Sequence, residues 1–406
     1  MWRSERVRCA RTLWRRAAFA LLVSLGAPVA ATDAPVCGGD FASWLDGVRL
    51  EARASGVSEA VIEALNDIRP SGKVLDHDRG QAVFTQDWLT FAGRMVNAYR
   101  LRVGREKLAE HAEVFAAAER ETGVPGAVIT GFWGLESDYG AVQGNVDTLG
   151  ALATLAHDCR RPELFRPQLI DALRLLDLQW LSRDQMKGAW AGEVGQVQLL
   201  PSDYLEYGTD GDGDGRVQLK ASAADVIRTA AKVIGSMGWR AGEPWLEPVQ
   251  VPQQMDWAQA DVYLRKPRAS WSVLGVARTD GSPLPDDGLP ASLLLPMGHQ
   301  GPAFLAYPNF DVFLSWNRSL LYATTAAYFA TRLAGAPPVE PGSPTPGLSA
   351  DQMEALQQRL AELGHDVGSI DGVLGEKTRA AVRYEQQRLG LPADAWPTPG
   401  LLDRLY

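Results

Sequence analysis

Between Ala334 and Gly347 the chain reads AGAPPVEPGSPTPG. Proline carries no backbone N–H and fixes φ, so this run can be neither a helix interior nor a central strand. It divides the chain into a long N-terminal part and a short C-terminal part, residues 348–406. The composition predicts a semi-rigid, solvated linker joining separately folded units.

A second discontinuity lies at the N-terminus. Arg3, Arg6, Arg8, Arg11, Arg15 and Arg16 precede an apolar run from Ala17 to Val29, followed by the small residues Ala30 and Ala31. A positive segment, a short apolar core and small residues in that order predict a secretory signal peptide, residues 1–31. The apolar stretch is short for a bilayer span; an uncleaved anchor is the alternative. No other segment approaches membrane length, so the mature chain is expected to be exported, periplasmic and without an integral span. Losing six arginines and one glutamate takes the formal net charge from −9 to −14. An acidic body disfavours nucleic acid as the main partner. Cys9 leaves with the leader. Cys37 and Cys159 remain, and an oxidising compartment favours one disulfide over two separate thiols.

The body is mainly helical in pattern. Apolar residues recur at three- and four-residue spacing from Phe41 to about Ala118, as in Leu108, Ala112, Phe115 and Ala116 and in Phe84, Trp88 and Phe91. Pro125 suits the first turn of a helix running through Glu136. Ala221–Met237 and Asn317–Leu333 also read as helices. Residues 245–315 differ: prolines recur, and Trp271–Val276 and Ala291–Leu295 look like short strands of a small inserted lobe.

Glu136 follows Phe132, Trp133 and Leu135 on a strongly apolar helix. A carboxyl among aromatic surface has its charged form disfavoured, which suits a general acid. Glycosidic bonds need such a proton donor, because a sugar oxygen leaves poorly. Read alone, an ordinary acid at a helix edge fits as well.

Four spaced blocks decide between these readings. FWGLESDYG, TLGALATLAHDCRRPELF, GAWAGEVGQVQLLPSDYLEYG and WNRSLLYATTAAYFATRL together resemble, in order, the lytic murein transglycosylases of the B type. The resemblance covers roughly residues 38–333. It implies a lysozyme-like helical catalytic domain, residues 32–333, with the β/loop lobe as one wall of a cleft. It also implies the chemistry: cleavage of the β-1,4 bond between N-acetylmuramic acid and N-acetylglucosamine, with 1,6-anhydro ends and no water consumed. Glu136 matches the single acid that then serves as base. Gln198 matches a glutamine that bonds a sugar N-acetyl group. Trp316 and Asn317 match an aromatic–Asn pair at the cleft, where the family's aromatic is usually tyrosine; Trp316 could stack on a sugar. Arg160 and Arg161 match paired arginines suited to lactyl or peptide carboxylates, with surface ion pairing as the plainer reading. Ala189 stands where the family has a serine. Asp138 sits about 200° around the helix from Glu136. Glu193, in the Gly-rich loop, reads as a substrate contact or a solvated acid.

TDGDGDGR, Thr209–Arg216, places Asp210, Asp212 and Asp214 at alternate positions with Gly215 at the sharp turn, the order of an EF-hand calcium loop. Arg216 would give its carbonyl. Ala221 stands where that motif wants glutamate; the family instead closes the site with an aspartate matched by Asp225. The expectation is a structural calcium ion, against a solvated Asp-Gly turn, and no organic cofactor.

The last segment, residues 348–406, resembles a three-helix peptidoglycan-binding domain through Leu363–Gly364, Asp371–Gly372, Gly375, Thr378, Ala381–Val382 and Gln386. Glu385 occupies a position where that family usually has an aromatic, and Tyr384 precedes it. The five histidines show no ligand spacing, and His157 reads as a packing residue. The expected partner is therefore the peptidoglycan glycan strand. Two other functions stay open: hydrolysis of the same bond, with Glu193 or Asp138 placing a water, and a silent murein-binding scaffold.

Overall fold

Fourteen consecutive alanine-, threonine- and aromatic-rich residues, Leu320–Leu333, form a helix that is buried on nearly every side. It packs on the equally apolar helix Gly126–Ser137, and the pair forms the centre of the catalytic domain. A computed structural model of the chain describes residues 36–80 and 86–406. The signal-peptide reading and Phe84 lie outside the described residues.

Around this pair run the helices Phe41–Ala54, Trp88–Met95, Ala98–Glu110, Ala112–Thr122, Thr148–His157, Pro162–Asp177 and Ala223–Ser236. Five of these seven helices start on a side-chain cap. Asp40, Asp87, Asn97, Asp147 and Ser222 cap their helices by accepting a backbone N–H with the side chain. Pro125 is the N-cap of the central helix rather than its first residue. The predicted helix at Asn317 begins later, at Leu320, because Asn317 terminates a separate helix, Phe310–Trp316. Cys37 and Cys159 are joined by a disulfide that closes a span of 122 residues. His157 packs edge-on against Phe41 and Trp44, as a packing residue should.

The strands are few. A two-residue ribbon pairs β1 (Val146–Asp147) with β2 (Lys187–Gly188). The inserted lobe holds β3 (Leu246–Gln250), β4 (Lys266–Pro267), β5 (Ala277–Arg278), β6 (Pro290–Leu294) and β7 (Ala303–Ala306), in the antiparallel order β4-β6-β7-β3-β5. Its own core comprises Trp271, Leu293, Leu305 and Tyr307. One expectation fails here. Trp271–Val276 is not a strand, because Arg268–Val273 is a short helix. Its Trp271 turns inward and donates its indole N–H to the Ala291 carbonyl of β6. Aromatic and β-branched content suggested a strand, and packing against the sheet overrode it.

The C-terminal module has the three predicted helices, Ala350–Glu362, Glu376–Arg388 and Pro399–Leu405, around Leu356, Leu360, Val382 and Leu401. The proline-rich segment is mostly exposed but is not loose. Ser343 N–H and Thr345 Oγ1 bond to Gln300, and Trp396 Nε1 donates to the Thr345 carbonyl. The module docks on the lobe. His299 meets Asp394 through its ring and its backbone N–H, at 2.5 and 3.0 Å, and Arg383 pairs with Asp261.

Candidate active site

Glu136 lies on the last turn of the helix Gly126–Ser137, half-buried. That helix stops at Asp138, which takes a left-handed conformation with φ of 50°. Tyr139, just beyond, folds back so closely that a Cβ on Gly134 would come within 2.7 Å of its ring. Glycine at 134 is therefore required, at a helix cost of about 1 kcal/mol relative to alanine. The turn directs Asp138 away from the cleft; its Oδ1 accepts from Arg100 Nε at 2.5 Å.

Two donors converge on one oxygen of Glu136. Trp316 Nε1 donates to Oε1 at 2.8 Å, and the Tyr322 hydroxyl donates to the same atom at 2.5 Å. Oε2 has no hydrogen bond from the described residues. Trp316 is 4% exposed and stacks on Phe132 at 4.3 Å between ring centres, so it offers little surface to a sugar. Tyr322 was not among the sequence-derived site residues, although it closes the aromatic–Asn–x–Ser–x–x–Tyr block quoted above.

The Gly-rich loop forms the facing wall. It is tied to the Glu136 helix through Gln196, whose side-chain carbonyl accepts from Trp133 Nε1 at 2.9 Å and whose backbone carbonyl accepts from Ser137 Oγ at 2.5 Å. Gly188 is needed where β2 meets the loop: a Cβ there would lie 1.8 Å from the Glu193 carbonyl oxygen. Gln198 takes a left-handed φ of 48° and donates its amide N–H groups to Gly195 and Gln143 carbonyls. With both amide N–H groups engaged, its carbonyl remains an acceptor. Asn317 Oδ1 accepts from the Ser319 amide, which orients the side chain.

A cleft brings together Glu136, Arg161, Glu193, Gln198, Trp316 and Asn317, with Phe165 and Trp190 among its walls. Arg160 is not part of its lining. Both arginines converge on Asp78, which is 2% exposed. Arg160 reaches its carboxylate at 2.5 Å and its carbonyl at 3.0 Å; Arg161 pairs with the same Oδ1 and lies over the Phe165 ring at 4.8 Å. Burial pushes the Arg161 guanidinium below its usual range, and Asp78 opposes that. Asp78 had no sequence signal beyond its place near a helix end. Ala189, the position lacking a hydroxyl, binds Glu193 only through the backbone.

Asp210, Asp212 and Asp214 bring one carboxylate oxygen each within 4.8 Å of the others. Such hard oxygen donors fit calcium. Asp210 is further held by the amides of Gly213, Asp214 and Gly215, and its carboxyl lies below the usual range mainly through Gly215. Arg216 gives its amide to Asp214. Asp225 stands apart from the three. It is fully buried, and its two oxygens accept from Gly211 and Gln218 at 2.7 and 2.6 Å, tying the two ends of the loop.

Residues 40–331 match the Transglycosylase SLT domain. The chain belongs to this family. Residues 349–405 match a Putative peptidoglycan binding domain. The chain is similar to SltB3 from Pseudomonas aeruginosa, solved in complex with NAG-anhNAM-pentapeptide: 38% identity, TM-score 0.84, covering 91% of this chain and all of that one. SltB1 from the same organism gives 26% identity and a TM-score of 0.62, over 71% of this chain and 97% of that one. Membrane-bound lytic murein transglycosylase B of Escherichia coli K12 is 28% identical over 240 residues, 58% of this chain. The match spans 64% of that protein's length. The family's mainly helical lysozyme-like fold, the small sheet lobe and the separate helical module are thus all present. Among the described residues no helix is long and apolar enough to cross a membrane.

Proposed function

We propose that this chain is an exported lytic transglycosylase that cleaves the β-1,4 MurNAc–GlcNAc bond of peptidoglycan, with Glu136 as acid and then base. The observation that carries it is Glu136, set in the cleft of an SLT-family fold with Oε1 held by Trp316 and Tyr322. Protonated Glu136 gives its proton to the glycosidic oxygen as the C1–O bond breaks. The substrate's N-acetyl carbonyl oxygen assists at C1. The Glu136 carboxylate then removes the proton from the C6 hydroxyl, and O6 closes on C1 to give the 1,6-anhydro ring. No water enters, and the acid ends protonated as it began. Gln198 and Asn317 would orient the sugar amides, Arg161 would face a carboxylate of the substrate, and the C-terminal module would hold the polymer nearby.

The domain limits go with this reading: leader 1–31, catalytic domain 32–333, linker 334–347 and binding module 348–406. A disulfide at Cys37–Cys159 is in keeping with an oxidising periplasm. Asp210, Asp212 and Asp214, with the Arg216 carbonyl and Asp225 behind them, would hold a structural calcium ion. A melting curve with and without chelator tests it: a fall in Tm is expected, and an unchanged curve argues against the site.

Mass analysis of products from purified sacculi tests the reaction. Anhydro-muropeptides are expected, and Glu136→Gln should release none. One observation favours hydrolysis as a second reading: Glu193 shares the cleft, where a second carboxylate could place a water. Reducing-end products that vanish in Glu193→Gln would establish that reading in place of the first. Intact sacculi after prolonged incubation would leave only a binding role.

A further inference from the structure

A groove of about 400 Å³ runs between the catalytic domain and the docked module. Asn317 lines both this groove and the Glu136 cleft, so the two adjoin at that residue. The groove's acids are already engaged. Asp261 takes Arg383, Asp394 takes His299 and Gln386, and Glu376 accepts from the Tyr263 hydroxyl. Two guanidiniums make no direct ion pair with a carboxylate among the described residues, although Asp394 lies close enough to Arg379 to favour its charge. Arg318 is exposed at the groove's edge and makes no hydrogen bond or ion pair with the described residues. Arg379 donates only to the carbonyls of Pro296 and Ala395, at 3.1 and 3.5 Å, and its Nε is buried with no acceptor. Burial, with Arg383 nearby, lowers its pKa to about 10.

Arg379 is half-buried and has no carboxylate bonded to it, so an arriving anion would offset the cost of shielding its charge from water. A planar fork with open N–H donors matches a carboxylate. The geometry therefore points to a subsite for the carboxylate-bearing peptide substituent of the glycan strand. Arg318 meets it at the groove mouth beside Asn317, and Arg379 meets it deeper in. This rests on the reading that the Glu136 cleft holds the glycan. A peptide branching from a strand held there has to leave the cleft sideways, and the groove adjoins it at the residue the two share.

The test uses the full chain and three substrates: strands bearing peptides, strands stripped of peptides, and strands whose peptide carboxylates are converted to amides. The wild type should favour the peptide-bearing strands in kcat/KM. Arg318→Ala should reduce that preference about fivefold, through KM, which corresponds to one charge-assisted contact at a wet site. Amidation should produce the same loss in the wild type. Arg379→Gln should add to it; because that residue is partly structural, the exposed Arg318 variant decides. Equal losses on stripped and peptide-bearing strands, or indifference to amidation, would overturn the subsite while leaving the cleavage reading intact. No anhydro product from any strand would overturn both.

Discussion

The indole N–H of Trp316 donates to Glu136 Oε1 across 180 residues of sequence, and the same ring is stacked on Phe132 one turn before the acid. The tryptophan thus restricts the carboxyl from both sides: the stack sets the position of the ring, and the N–H sets the orientation of the carboxyl. A phenylalanine would keep the first and lose the second.

Trp316→Phe is therefore expected to lower kcat about tenfold, ~1.4 kcal/mol of barrier, with KM little changed. Steady-state kinetics on peptidoglycan strands checks it. A rise in KM at constant kcat would instead make Trp316 a sugar-binding surface.

Asp78→Asn should destabilise the protein and weaken substrate binding together. The carboxylate is buried between Arg160 and Arg161. Removing its charge leaves two guanidiniums facing each other, a change that costs about 3 kcal/mol or more in buried pairs. Urea unfolding should show a lower midpoint at unchanged slope. KM should rise severalfold as Arg161 loses its orientation.

Docking of the C-terminal module should weaken in acid. Burial alone would raise the Asp394 pKa, but hydrogen bonds from the His299 side chain and backbone, the Trp396 amide and Gln386 outweigh it and leave the carboxyl below its usual range. A depressed carboxyl contributes stability that is complete above the unfolded value near 3.8 and is lost as pH falls through the folded pKa. Fluorescence should follow this, because Trp257 packs on His299 at 4.8 Å and Trp396 lies beside Asp394. A shift as the pH falls below 3.8 that is absent in Asp394→Asn is expected; identical titrations would remove Asp394 as its cause.

Reduction of Cys37–Cys159, or Cys37→Ser, should lower the unfolding free energy by about 3–5 kcal/mol, the range for releasing a loop of this order. Denaturant curves with and without reductant measure it. Full stability would then require the oxidised form.

Much of the site was legible because it is written in short blocks. Glu136 with its helix, the Gly-rich loop with Gln198, and Trp316–Asn317 each stand in local sequence, and the fold brings these blocks into one cleft. Their partners were not legible. Asp78 meets Arg160 and Arg161 across 82 and 83 residues, and Gln196 meets Trp133 across 63. Pairing at such range depends on how helices pack, which no spacing rule expresses. Gln196 did carry a faint signal, as the other glutamine of the same loop. Asp225 fell outside the three-acid group because its oxygens serve two loop amides. In the inserted lobe, strands of two residues and a six-residue helix gave periodicity too little length to tell one from the other.

The clasp of His299 and Asp394, with Arg383 on Asp261 and the proline-rich segment pinned at Gln300, changes what the module can contribute. A domain on a slack leash raises encounter frequency wherever it lands. On the proposed function, a domain seated in one pose would work instead as a caliper: the length of polymer it gripped would be presented to Glu136 at one set span, and the spacing of cuts would follow from the fold.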